Sequence, residues 1–158
     1  MTAERLLEHP EFDAVAVSLL EAGHPLRFQV RGSSMRPFIR SGDLVEIQPV
    51  AADELRPGQV LLCRLRDGRL VVHRLVRVEP SGLILQGDAR LVPDGRLLPD
   101  QVLGRMTGLG REGQWLRLDT FQHAWLARLW LLLIPLRGGL FRLARLVRAA
   151  LRNIGWQA

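Results

Sequence analysis

Ser34 lies in the stretch Arg31-Gly32-Ser33-Ser34-Met35-Arg36-Pro37-Phe38-Ile39, which Gly42-Asp43 follows. A Gly-Ser-Ser-Met run ahead of a proline describes a tight turn presenting a hydroxyl, not a core segment. His73 and two carboxylates, Asp88 and Asp94, stand downstream. A serine, a histidine and a carboxylate in one small domain are the parts of a nucleophilic hydrolase. Lysine is the other base such a serine can use. The chain has none, because all 22 of its Lys+Arg residues are arginine. A guanidinium stays protonated and cannot accept the proton. A nucleophilic Ser34 therefore requires a histidine.

Each residue also has a plainer reading. Ser34 taken alone is a turn serine or a helix cap. His73 follows Val71 and Val72 and precedes Leu75, as a histidine packed on a sheet would. The other histidines are weaker candidates: His9 and His24 each precede a proline, and His123 enters an apolar tail. Imidazoles titrate where a general base at neutral pH must work. Met35 is expected to pack beneath the turn, Pro37 to stiffen it, and Asp43 to support it. The backbone N–H of Ser34 is placed to contribute to an oxyanion hole.

Four pieces in order carry a family resemblance: "GSSMRPFIRSGDLVEIQPV", "LRPGQVLLCRLRDGRLVVHRLVRV", "LILQGDARLVPD" and "VLGRM". Together they resemble the S24/S26 peptidases, which include type I signal peptidases and LexA-like self-cleaving repressors. The resemblance runs from about Leu26 to Leu109. His73-Arg74 resembles the endoplasmic-reticulum and archaeal type of signal peptidase, where His replaces the bacterial Lys.

This likeness implies a serine endopeptidase that cuts an extended peptide laid along a sheet edge, with small residues beside the cut. It implies a triad of Ser34, His73 and Asp94. In the eukaryotic type the orienting aspartate lies a few residues after a Gly-Asp pair, which favours Asp94; Asp88 is the alternative or supporting acid. Bacterial relatives carry a serine two positions before the nucleophile, where this chain has Gly32; Ser33 is an open substitute as oxyanion donor. Two other readings stand beside this one. A LexA-like self-cleaving regulator would use Ala22-Gly23 as the cut, but lacks the expected lysine and has little chain ahead of Leu26 for a DNA-binding domain. A membrane-associated β module would keep the motif without turnover.

The elements that must position these residues are short. Residues from about Thr2 to Ala22 are expected as one or two helices interrupted at Pro10, with Val15, Leu19 and Ala22 on the apolar face and Gly23 as the stop. Strands are expected at Leu26–Val30, Leu44–Ile47, Gln59–Leu65, Leu70–Val78, Leu83–Gln86, Val102–Met106 and Trp115–Leu118. Pro57-Gly58, Asp67-Gly68 and Ser81-Gly82 are turn signals between them. The succession predicts a mainly β fold: a small antiparallel signal-peptidase- or LexA-like domain over 25–120, behind a helical segment at 1–24.

Residues 121–158 form a different kind of segment. They contain six arginines and no acidic residue, within a chain of net charge +6. The longest uncharged run, Leu129 to Leu136, falls far short of the roughly 20 apolar residues a span needs. A longer window admits Arg128, Arg137 and Arg142, each costing on the order of 2.5–3.5 kcal/mol at mid-membrane. Arg142, Arg145, Arg148 and Arg152 recur at steps of three and four, as on one face of a basic amphipathic helix lying in a headgroup layer. An anionic membrane surface is thus the expected partner beside a peptide substrate, with no nucleic acid. The expected location is peripheral, at the cytoplasmic face, since no secretory signal is visible. The single cysteine, Cys63, sits in an apolar run and excludes an intrachain disulfide or Cys-rich zinc site. No cofactor or metal is called for.

Overall fold

The computed structural model of the chain describes residues 9–118 and Trp130. Helix α1 (His9–Glu21) comes first, with Pro10 in its opening turn. A first-turn N–H has no intrahelical acceptor, so a proline there loses nothing. The rest of the expected helical segment, ahead of His9, lies outside the described residues. Gly23 ends α1 at φ 83, and the N–H groups of Gly23 and His24 donate back to Leu20 and Leu19. The buried stripe is also shifted by one residue from expectation. Ala16 and Leu20 are buried, whereas Val15 is 45% exposed. Phe12, one turn before Ala16, packs its ring on Phe28 at 5.0 Å, and this contact sets the helix rotation.

Eight strands follow: β1 (Leu26–Gln29), β2 (Leu44–Gln48), β3 (Val60–Arg64), β4 (Leu70–Glu79), β5 (Gly82–Gln86), β6 (Arg96–Leu97), β7 (Val102–Arg111) and β8 (Gln114–Arg117). They form one sheet in the order β1-β2-β7-β3-β4-β5-β6, with β8 also paired to β7. All seven pairings are antiparallel. The mainly β expectation therefore holds, and six strands lie close to their expected bounds. β7 runs on to Arg111, and the two-residue β6 is too short to show alternation in sequence.

β3 explains how the sheet builds two cores. Val60 and Leu62 point to one face, with Leu20, Met35, Ile39, Val45, Ile47 and Met106. Leu61 and Cys63 point to the other, with Leu55, Leu75, Leu83, Leu85 and Leu97. Opposite faces receive alternate residues because the strand period is two. β5 is buried along its whole length, as a strand covered on both faces must be. Register shifts at Glu46/Ile47, Leu62/Cys63 and Leu75/Arg77 add local twist. The β1–β2 and β5–β6 connections remain as loops, and these carry the serine and the carboxylates.

Candidate active site

The Ser34 loop joins β1 to β2. Its neck closes where Val30 N–H donates to Asp43 O and Gly42 N–H to Val30 O, both at 2.9 Å. Gly32 and Gly42 adopt φ 101 and 96, which side-chain-bearing residues resist. Ile39 N–H donates to Met35 O at 3.0 Å, forming one helical turn. Met35 and Ile39 therefore project together and are buried in the first core. This anchors the loop from beneath, as expected of Met35, and leaves Ser34 half-buried beside it.

Asp43 supports the loop as expected, accepting from Arg40 N–H at 2.7 Å. It also has a partner that the sequence did not suggest. Arg111, at the end of β7, donates to both Asp43 carboxylate oxygens, at 2.8 and 2.6 Å, and to Phe38 O at 2.8 Å. The Arg111 hydrogen bond holds the Asp43 carboxyl below its ordinary range, against the opposing effect of burial. A cleft of about 540 Å³ opens between this loop and the β7–β8 hairpin, lined by Arg40, Asp43, Arg111 and Trp115. Ser34, His73 and Asp94 do not line it.

His73 stands in the middle of β4, opposite Leu61 of β3. It is 3% exposed. Its Nε2 lies 3.0 Å from Ser34 Oγ. Its Nδ1 is hydrogen-bonded to Asp94 Oδ2. If Nδ1 carries the proton toward the carboxylate, Nε2 is left as the acceptor facing the hydroxyl. The Asp94 side chain is also almost fully buried. Its other oxygen accepts from Arg90 Nη1 at 2.9 Å. Both carboxylate oxygens are thus held, and the ring orientation with them.

Asp88 does not reach the histidine ring. Its side chain is fully buried and forms a bidentate pair with Arg74, through Nε at 2.8 Å and Nη2 at 2.7 Å. Arg74 Nη1 donates to Gly58 O at 2.7 Å. The Arg74–Asp88 pair therefore ties β4 to the β5–β6 loop behind the Ser–His contact. Gly87 explains how close that loop comes. A Cβ at Gly87 would lie 2.7 Å from Ser34 O and 3.0 Å from His73 Nε2. Ala89 N–H donates to Ser34 O at 2.7 Å, fastening the two loops together.

Among the described residues, the backbone N–H of Ser34 has no protein acceptor. Ser33 is exposed, and its carbonyl accepts from Arg36 N–H. Burial, reinforced by the charge of Asp94, pushes the Cys63 thiol up to about 12. It stays protonated and is no rival nucleophile. No group of three or more His, Cys, Asp or Glu among the described residues is placed to hold a metal.

The chain matches the Peptidase S24-like family over residues 5–107. It belongs to that family. No curated protein matches it. The match takes in the Ser34 loop, β4 and the β5–β6 loop of this S24-like domain, so every residue of the Ser–His–Asp chain falls within it. The assignment reaches the peptidase or self-cleaving family as a whole and not the signal-peptidase type within it. Four further site residues escaped sequence reasoning: Arg90, Arg111, Trp130, whose indole N–H donates to Asp88 Oδ1, and, in its spacing role, Gly87. The Gly87-Asp88 pair was visible as a motif. Arg90 and Arg111 are two among 22 basic residues, and nothing local distinguishes them.

Proposed function

We propose that the chain is a serine endopeptidase of the signal-peptidase type, with Ser34 as nucleophile, His73 as base and Asp94 as the orienting acid. The observation that carries this reading is the continuous path from Ser34 Oγ to His73 Nε2 at 3.0 Å, and from His73 Nδ1 to Asp94. Ser34 Oγ attacks the scissile carbonyl carbon while Nε2 takes its proton. The developing oxyanion is met by the Ser34 N–H. The C–N bond breaks as Nε2 passes the proton to the leaving amine. Water, deprotonated by the same nitrogen, then hydrolyses the acyl-serine. Asp94 holds the imidazole in one tautomer and stabilises its protonated form. Phe38, Leu91 and Val92, on the loops that carry Ser34 and Asp94, are 43%, 57% and 72% exposed and offer apolar contact to a peptide. The substrate is an extended precursor peptide, and the arginine-rich segment 121–158 brings the enzyme to an anionic membrane surface.

A fluorophosphonate probe on the purified full chain tests the nucleophile. Covalent labelling of wild type at Ser34, absent in Ser34→Ala, is expected; an unlabelled wild type whose peptide turnover is undetectable would leave a β module without catalysis. His73→Ala is expected to be inactive, with His73→Lys recovering part of the rate. Mass spectrometry of the stored protein separates the self-cleaving alternative: a Ser34-dependent cut at Ala22–Gly23 would favour it.

A further inference from the structure

Trp130 stands apart in sequence from the S24-like domain, yet it meets the site at two points. Its indole N–H donates to Asp88 Oδ1 at 2.9 Å. Its ring packs edge-on against Phe38, with centroids 4.7 Å apart. These two partners belong to different loops. Phe38 lies on the Ser34 loop, directly before the buried Ile39, and its carbonyl is held by Arg111. Asp88 lies on the loop that also carries Asp94. Arg74 completes the cluster, paired with Asp88 and set over the Phe38 ring at 5.6 Å.

We infer that Trp130 is a positioning residue that clamps the Ser34 loop against the carboxylate loop and so couples the C-terminal segment to the catalytic geometry. This rests on the peptidase reading above. Few ties join the two loops among the described residues. Ala89 N–H to Ser34 O joins them at the site itself. Trp130 provides a second tie from the other side of Asp88. Without it, Asp88 Oδ1 keeps Arg74 Nε but loses its neutral donor, and the Phe38 ring loses its edge-on partner. The Ser34–His73 distance then depends on that backbone hydrogen bond, on Arg74 over the Phe38 ring, on Arg111 at the side of the loop and on the anchoring of Met35 and Ile39. Small displacements between reacting groups cost rate steeply. The N–H and the ring have separable parts: the ring contact holds Phe38, and the hydrogen bond holds Asp88.

The test uses full-length Trp130→Ala and Trp130→Phe beside wild type, with the fluorophosphonate reaction followed to saturation. Trp130→Ala is expected to slow the maximal labelling rate by about tenfold, the size of a lost hydrogen bond to a charged acceptor, with half-saturating probe concentration unchanged. Trp130→Phe keeps the ring contact and is expected to recover part of the loss. Amide hydrogen exchange in residues 33–39 and 87–91 is expected to quicken in Trp130→Ala. Equal labelling rates in all three proteins would overturn the inference, and faster labelling in Trp130→Ala would show an obstructing side chain instead. A change confined to half-saturation would make Trp130 a binding residue and overturn it too. Should wild type fail to label, the peptidase reading falls. Exchange then decides the clamp by itself: unchanged protection in Trp130→Ala would remove it, and lost protection would establish it.

Discussion

Two aspartates close together in sequence hold different structural places, and substitution separates them. Asp94 bonds the imidazole, and Asp88 bonds a guanidinium. Asp94→Asn is expected to leave the fold in place and to lower turnover by about 10⁴, because an amide does not stabilise the imidazolium and favours the wrong tautomer. Asp88→Asn leaves the buried Arg74 without its counter-charge. Its expected signature is a loss of stability on the order of 3–5 kcal/mol, read as a lowered unfolding midpoint. Should Asp88→Asn abolish turnover with an unchanged midpoint while Asp94→Asn stays active, the roles are exchanged. Gly87→Ala offers a third contrast. The added methyl meets the Ser34 carbonyl and the His73 ring. Turnover is expected to fall by at least about tenfold, through displacement of the reacting pair. Wild-type kinetics in this variant would show that the approach of the loops is not needed.

At the scale of elements, the Ser34–His73–Asp94 geometry is set by the meeting of two loops and one strand. β4 pairs with β3 through His73 and with β5 from Arg74 onward, and this register sets where His73 stands. The Ser34 loop is held by Met35 and Ile39 below and by Arg111 at its side. That side clamp has a pH dependence with a definite sign. The Asp43 carboxyl is depressed in the folded protein, chiefly by the Arg111 hydrogen bond. The folded state therefore binds this proton less readily than the unfolded chain. Its stabilisation is present above the ordinary aspartate range and is lost as the pH falls through the lowered value. Asp43→Asn is expected to be less stable than wild type at neutral pH and to lose less on acidification. Parallel urea midpoints at pH 7 and pH 3 check this; equal acid sensitivity in both proteins would remove Asp43 as the source.

For the whole molecule, the proposed contact with an anionic membrane surface is open to a direct test. No helix among the described residues is long and apolar enough to cross one. The expected basic amphipathic helix at 121–158 falls outside the described residues, apart from Trp130. Deleting the whole segment would also remove Trp130, so charge substitution is the cleaner test. Changing Arg142, Arg145, Arg148 and Arg152 to Gln is expected to weaken sedimentation with anionic vesicles much more than with neutral ones, at about 1 kcal/mol per arginine near the surface. Salt is expected to weaken wild-type binding in the same direction. Equal binding of wild type to neutral and anionic vesicles would exclude the electrostatic account.

Local sequence determined the strands and turns of this protein. Apolar alternation and Gly, Pro and Asp turns depend on near neighbours, so β1 to β5 and the Asp67-Gly68 hairpin are legible without the fold. The same holds for the chemical types at the site: among basic side chains, an arginine-only chain leaves histidine as the one able to act as a base toward Ser34. Alternation could not give the rotation of α1, because Phe12 finds Phe28 only across the fold. The choice between Asp88 and Asp94 also required tertiary structure. Both follow small residues in one loop, and only the position of β4 places His73 beside one and Arg74 beside the other. Arg90, Arg111 and Trp130 became site residues for a similar reason. Their partners are selected by where a folded backbone delivers a carboxylate or a carbonyl, and no periodicity in the chain encodes that meeting.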